Sequence, residues 1–214
     1  MGLPFTSDQF FGVFASYNRV FVVVVVALWL ASIGTLAFVL RDPAHRSRTL
    51  SLFLGVLWVW NAVAYHALFF TRINPAAWLF AALFVVQAVL FFRVAAGRHI
   101  EYFSSAGWRR GVGLVLVAYA LAYPFLAIAL GHSYPETPTF GVPCPTAILT
   151  IGMLVSVRDR LPLVLATIPI LWGFIGGSAA LFLSVPTDYV LLGAGVLLTL
   201  IVIWQRMRPA SAAR

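Results

Sequence analysis

The chain has 214 residues, of which 62% are hydrophobic and 9% are charged. This composition excludes a water-soluble globular domain, in which about 25% of residues are charged. The net charge of +8 comes from arginine alone, because the sequence contains no lysine. Arginine-rich loops on a bilayer account for such a charge without a nucleic-acid partner. The sequence therefore predicts an all-α, polytopic membrane protein whose surroundings are the lipid bilayer.

Seven apolar runs are the predicted transmembrane helices. Short polar breaks separate them, and most approach the ~20 residues that a bilayer-spanning helix requires. No linker or low-complexity segment divides the chain, so we predict a single transmembrane domain over residues 1–214. The runs are Val20–Leu40, Leu50–Thr71, Ala76–Phe92, Val112–Leu130, Pro145–Val157, Leu161–Leu183 and Tyr189–Trp204.

The arginines fall in alternate loops. Short loops rich in arginine face the cytoplasm, and the segments after runs one, three, five and seven hold all but two of the fourteen arginines. We therefore predict an external N-terminus and a cytoplasmic C-terminus. The cytoplasmic set is Arg41, Arg46, Arg48, Arg93, Arg98, Arg109, Arg110, Arg158, Arg160, Arg206, Arg208 and Arg214, whereas Arg19 and Arg72 fall on the other side.

The first seventeen residues have a helical pattern of their own. Thr6 and Gln9 have the spacing of a capping box. Phe10, Phe14 and Tyr17 follow at helical spacing. Two interpretations stay open: residues 1–17 form an interfacial helix on the outer surface, or they extend the first spanning helix.

The fifth apolar run is too short to cross a bilayer. Pro145–Val157 covers about 20 Å at ~1.5 Å per residue, against ~30 Å of hydrocarbon. If Val157 reaches the cytoplasmic boundary, Cys144 lies roughly 10 Å below the outer one. Residues 131–146 then form a partly re-entrant outer loop, which lines a pocket because non-helical backbone at that depth needs protein or water around it. Pro145 suits the first turn of a helix, which predicts Cys144 at or near the N-cap.

Several side chains are candidates for binding a ligand in this pocket. His66 lies at about the depth of Cys144, and intramembrane ionisable residues usually mark a pathway or a ligand. Tyr123 is one helical turn from Tyr119 and about halfway across the bilayer. Asn61 and Gln87 are predicted to face each other in mid-membrane, where they join two helices. The candidate ligand-binding residues are His66, Tyr123, Cys144 and Asn61.

Four residues are candidate metal ligands. A thiolate and two imidazoles suit Cu(I) or Zn(II), and a carboxylate completes a zinc site. No CxxC, HxxxH or HExxH spacing supports the set, and a lone cysteine is more often a small buried apolar residue. The set is Cys144, His66, His132 and Glu136, whereas His45 and His99 are expected to be solvated in the cytoplasmic loops. A retinal Schiff base is excluded, because it requires a lysine.

Three stretches carry a resemblance to a known family. They are "LPFTSDQFFGVFASYN", "WNAVAYHALFFTRINPAAWLF" and "GHSYPETPTFGVPCPTAILTIG". Together they resemble a bacterial family of small integral membrane proteins that is catalogued as domain of unknown function 6064, and the likeness covers nearly the whole chain. The resemblance implies a multi-pass protein of the bacterial inner membrane, and it implies no activity.

The leading functional hypothesis is an outer-facing pocket that binds or transports a small ligand, with a soft metal ion as the first candidate. Predicted helices three, five and seven each start near a proline on the outer side, at Asn74-Pro75, Cys144-Pro145 and Pro186-Thr187-Asp188, so three positive dipole ends face that side. A small anion ranks below a cation as the ligand, because no buried arginine accompanies these helix starts. One alternative is a metal-dependent enzyme that uses Glu136 or Tyr123 to assist a bound water. Another is an assembly partner of a membrane protein, or a homo-oligomer, in contact through Gly173, Gly176 and Gly177. The sequence does not decide whether the protein is an enzyme.

Overall fold

The structure is a computed structural model that describes residues 4–97 and 100–207. Arg98, His99, Arg208 and Arg214 lie outside the described residues. Within them the chain is helical and contains no strand. The α-helices are α1 (Ser7–Arg41), α2 (Arg46–Trp60), α3 (Ala77–Gly97), α4 (Trp108–Ala129), α5 (Pro143–Val155), α6 (Leu163–Leu183) and α7 (Tyr189–Met207). The all-α prediction is confirmed, and α2 continues as a π-helix over Asn61–Ala67.

The outer surface of the bundle is apolar. Val23 is 78% exposed and Phe182 is 73% exposed, and other large hydrophobic side chains are exposed on every helix except α5. Large contiguous apolar surface of this kind is unusual on a soluble monomer, and a bilayer is the solvent that accommodates it. In the described part of the chain, six helices are long and apolar enough to cross a membrane. The protein is therefore a multi-pass membrane protein.

The helix α5 is the centre of the bundle. It packs against α2, α4, α6 and α7, and every residue from Phe140 to Val157 is buried. Its thirteen residues are too few to cross a bilayer. Because other helices surround it, α5 has no lipid-facing side and its short length exposes no backbone to hydrocarbon. The fifth of the predicted spans is thus a short core helix.

One end of the bundle gathers the starts of α1, α3, α5 and α7. Here the Tyr17 hydroxyl donates a hydrogen bond to the carbonyl of Gly141, 3.0 Å away. The Tyr119 hydroxyl likewise donates to the carbonyl of Thr187, 2.9 Å away. We call this the pocket end, because it contains a cavity lined by α1, α3, α5 and α6 and by the segments that follow α2 and precede α7.

The opposite end, which we call the arginine end, joins the remaining loops. The Ser47 hydroxyl accepts a hydrogen bond from the Ile100 N–H at 3.0 Å, and the Ser156 carbonyl accepts one from the Ser105 N–H at 2.9 Å. His45 is exposed, as predicted, and its hydrogen bond to Asp42 lowers the pKa of that carboxyl group. All described arginines except Arg19 and Arg72 belong to this end.

The N-terminal segment extends the first helix. Thr6 and Gln9 form the predicted capping box, and α1 then continues without a break for 35 residues. Phe10, Phe14 and Tyr17 are buried, since their rings pack against Phe70 and Tyr65. Residues 7–17 thus continue into α1, in line with the second interpretation, and the end of α2 covers their aromatic face.

The glycines of α6 pack against α7 of the same chain. A Cβ atom on Gly173 would lie 2.7 Å from the Cα of Gly195, and one on Gly177 would lie 2.7 Å from the Cβ of Leu192. Both contacts are with α7, so close packing of α6 and α7 requires these glycines. This surface is consequently occupied, and it does not serve as the contact site of the assembly-partner alternative.

Candidate functional site

A cavity of about 250 Å³ opens at the pocket end, and we call it the pocket. Its wall is largely aromatic, with rings from the start of α1, the end of α2, α3 and α6. The aromatic members are Phe5, Phe10, Phe14, Tyr65, Phe70, Phe80, Trp172 and Phe182. Cys144 and Asp188 are the buried polar side chains of the wall, and Asn74 and Ser178 are partly exposed. The pocket is smaller than the ~300–1,000 Å³ of most ligand sites, so it fits a small molecule.

Asp188 lies at the last residue before α7 and is only 3% exposed. The Tyr123 hydroxyl donates a hydrogen bond to its Oδ1 atom, and the Cys144 thiol lies beside the same carboxylate. Tyr123 also accepts a hydrogen bond from the Thr187 hydroxyl at 3.2 Å. These partners are neutral groups, and no salt bridge joins Asp188 to any cation of the described residues. A carboxylate thus lies in the wall of an apolar pocket without a counter-ion.

Cys144 is held by two prolines in the first turn of α5. The helix begins at Pro143, with Val142 as its N-cap. Cys144 is therefore the second helical residue, near the N-cap as predicted, and Val142 is the N-cap itself. Proline at these positions costs little, because the first N–H groups of a helix have no intrahelical acceptor. The rigid turn directs the thiol toward Asp188 and Trp172.

The indole of Trp172 lies between two polar groups, the imidazole of His66 and the thiol of Cys144. Its N–H has no hydrogen-bond partner although the residue is only 7% exposed. A Cβ atom on Gly176, which also lines the pocket, would lie 3.2 Å from this nitrogen. The N–H therefore lies next to the pocket wall and faces the Cys144 sulfur. A buried donor without an acceptor is unusual, and such groups often face a site that a ligand or water fills.

His66 lies on the other side of the pocket wall, inside an aromatic cage. It is fully buried in the π-helical segment, and neither ring nitrogen has a hydrogen-bond partner. Its ring centroid lies 4.6 Å from that of Phe84 and 5.1 Å from that of Trp172. His66 and Cys144 therefore both contact Trp172, although His66 does not itself line the pocket.

The other predicted polar residues join helices. The Asn61 amide donates hydrogen bonds to the Leu57 carbonyl and the Thr146 hydroxyl, at 2.8 and 3.0 Å. Gln87 instead donates to the Leu165 carbonyl at 3.1 Å. Both residues link helices, as expected, and each forms its hydrogen bonds with a different neighbour. That Asn61 and Gln87 face each other stays a prediction. Neither lines the pocket.

The four predicted metal ligands do not form one cluster. Among the described residues, no three His, Cys, Asp or Glu side chains lie close enough together to hold a metal ion. His132 stacks on Phe11 with ring centroids 4.8 Å apart, and Glu136 is exposed in the loop before α5. This part of the loop stays at the surface while residues 140–146 are buried. Binding of copper or zinc stays a prediction that this geometry does not favour.

A family model matches residues 7–213, and its description is a family of unknown function, DUF6064. The chain belongs to this family. The match covers almost the whole chain, including every helix that forms the pocket, and it confirms the resemblance seen in the sequence. No curated protein and no solved structure matches the chain.

Sequence reasoning missed two residues of the pocket, Asp188 and Trp172. Asp188 appeared only as part of the Pro186-Thr187-Asp188 helix start. A signal was available, because an acidic residue directly before an apolar run is costly unless it has a special environment. Trp172 carried no such signal, since a tryptophan within an apolar run resembles any other lipid-facing or core residue.

Proposed function

We propose that the protein binds a small, largely apolar molecule in the pocket and admits it sideways from the bilayer. The observation that carries this proposal is the composition of the wall, in which aromatic rings surround a buried carboxylate and an unpaired indole N–H. Apolar cavities with a few convergent polar groups are the usual form of a ligand site. The polar groups orient the ligand, and the rings supply most of the binding free energy.

The entrance supports access from lipid. Ile175 and Phe182 line the pocket, yet they are 37% and 73% exposed on the outer side of α6. A molecule dissolved in the hydrocarbon therefore meets the mouth of the pocket without crossing water. An apolar ligand is concentrated in that phase, which favours this route.

The proposed orientation places the pocket on the external side. Nine described arginines lie at the arginine end and two at the pocket end, and cytoplasmic loops carry the excess of arginine. In a bacterium this protein would belong to the inner membrane, as the family resemblance implies.

Bromine quenching of tryptophan fluorescence tests the proposal. The probe is 1-bromo-4-neopentylbenzene, a neutral molecule, added to the protein in nanodiscs. Because Trp172 lines the pocket, we expect a saturable quenching component above the linear background from lipid-dissolved probe. Trp172→Phe should remove that component.

A substitution that fills the pocket with a larger side chain is the decisive test. Ala179 lines the pocket, so Ala179→Phe should weaken saturable binding by about tenfold or more, because the new ring occupies the cavity. Leu181→Phe is the matched control, since Leu181 is exposed on the same helix outside the pocket. Saturable quenching that is absent from the wild type, or equally strong in Ala179→Phe, would contradict the proposal.

A further inference from the structure

The carboxylate of Asp188 poses an electrostatic problem. It is almost fully buried, and its neighbours Tyr123 and Cys144 carry no positive charge. The pocket end has two described arginines, and both are exposed; Arg72 lies over the Phe69 ring, 4.8 Å from its centroid. Buried charges in proteins are usually paired, because an unpaired charge loses its hydration without compensation.

The protein around Asp188 fits a positive charge. The carboxylate lies beside the N-terminal turns of α5 and α7, which partly stabilise a negative group. The rings of Tyr65, Phe70 and Trp172 form other parts of the same wall. Aromatic faces attract cations through their quadrupole, by roughly 0.5–2 kcal/mol each, and most strongly in a desolvated site.

We propose that the ligand of the pocket is a lipophilic organic ammonium ion whose charge pairs with Asp188. This inference rests on the proposed function and names its ligand class. The ammonium group lies against the carboxylate, while the apolar part of the molecule fills the aromatic cavity toward α1 and the lipid-facing side of α6. A neutral molecule of the same shape lacks the charge pairing and binds more weakly.

A metal cation fits the pocket less well than an organic one. The wall offers zinc two donors, the sulfur of Cys144 and the carboxylate of Asp188, whereas zinc takes four ligands; a soft copper(I) ion would find only the sulfur. The indole of Trp172 donates and cannot coordinate. His66 does not line the pocket, and no described cluster of three ligands includes Cys144. Eight of the nineteen residues that line the pocket are aromatic, and aromatic rings solvate ammonium ions.

Two bromine probes of equal shape test the inference. The cation 4-bromobenzyltrimethylammonium and the neutral 1-bromo-4-neopentylbenzene differ only in a nitrogen in place of a carbon. We expect the wild-type protein in nanodiscs to bind the cation about tenfold more tightly, as judged by saturable quenching of tryptophan fluorescence against lipid-only nanodiscs. Asp188→Asn, which keeps the shape of the side chain, should reduce this preference to about twofold or less.

A control variant separates pairing in the pocket from attraction to the surface. Glu136 is exposed at the pocket end, so Glu136→Gln should leave the preference unchanged. If Asp188→Asn does not fold, the ratio of the wild-type affinities for the cationic and the neutral probe is sufficient to test the inference. Equal affinities of the two probes would overturn the inference and leave the proposed function standing, whereas saturable binding of neither probe would overturn both. Stoichiometric displacement of the cation by zinc or copper(I) ions would also overturn it and assign the pocket to a metal.

Discussion

Gly113 of α4 and Gly152 of α5 bring two helix backbones into direct contact. A Cβ atom on Gly113 would lie 2.6 Å from the carbonyl oxygen of Gly152, and one on Gly152 would lie 2.8 Å from the carbonyl oxygen of Gly113. The obstacle is backbone in both cases, so a side chain cannot be accommodated by a rotamer change. Small residues permit this approach, which membrane helices use because van der Waals packing replaces the hydrophobic effect between them.

Gly152→Ala should therefore destabilise the protein by about 1–3 kcal/mol, because α4 and α5 have to move apart. Gly111→Ala is the matched control in α4, since nothing lies within 4 Å of its Cβ position. The control should be neutral or slightly stabilising, as alanine has the higher helix propensity. Thermal unfolding in detergent measures both variants, and equal melting temperatures for the two would show that the close approach is unimportant.

Individual pocket residues were predictable to different degrees. Cys144 of the pocket wall was identified, as was Tyr123, which lies outside the wall and donates a hydrogen bond to Asp188, because proline spacing and helix rise give depth along the chain. Asp188 was not selected, since its proximity to Cys144 depends on how α5 and α7 pack, and no local pattern contains that contact. His132 and Glu136 were selected for their chemistry, but they lie in the exposed part of a loop.

At the scale of the helix, the C-terminal end of α5 depends on a side chain from α4. Arg109 of α4 is buried, and its guanidinium donates hydrogen bonds to the carbonyls of Val155 and Val157. These carbonyls lie at the C-terminus of α5, where helix carbonyls lack intrahelical partners and a positive charge is favourable. The short central helix is thus capped by a side chain from its neighbour.

Arg109→Met should destabilise the protein by about 1.5–3 kcal/mol, because it keeps much of the apolar stem and removes the charged donors. Arg110→Met, at the exposed neighbouring position, should have little effect. Chemical denaturation in mixed micelles compares the two variants with the wild type. A loss of stability in Arg110→Met as large as that in Arg109→Met would indicate that the charge matters only for lipid binding.

The length of each element was readable from the sequence, whereas its surroundings were not. The fifth run was predicted as too short, and α5 is indeed the short helix of the described chain. Its burial on every side could not be derived, because an apolar run has the same appearance beside lipid and beside protein. For the same reason the sequence did not distinguish whether the aromatic face of residues 10–17 lies at the membrane interface or packs against another helix.

At the scale of the whole molecule, the two ends differ in charge and chemistry. The pocket end carries the cavity and two described arginines, and the arginine end carries the rest. Between the two ends, helices that are neighbours in the sequence pack together, α2 with α3, α4 with α5, and α6 with α7. Because the arginines determine how such a protein inserts, the orientation of the pocket follows from charge and not from the fold.

Cysteine labelling provides a direct measurement of that orientation. Cys144 is the only cysteine of the chain, and it is buried, so Cys144→Ser gives a background without thiols. Single cysteines are then placed at Glu136, which is exposed at the pocket end, and at Glu101, which is exposed at the arginine end.

In intact bacterial spheroplasts, a membrane-impermeant maleimide should label Glu136→Cys and not Glu101→Cys. After permeabilisation both should be labelled, which confirms that each site is reactive. The opposite pattern would place the pocket on the cytoplasmic side, and equal labelling of both sites in sealed spheroplasts would mean that the arginines do not determine a single orientation.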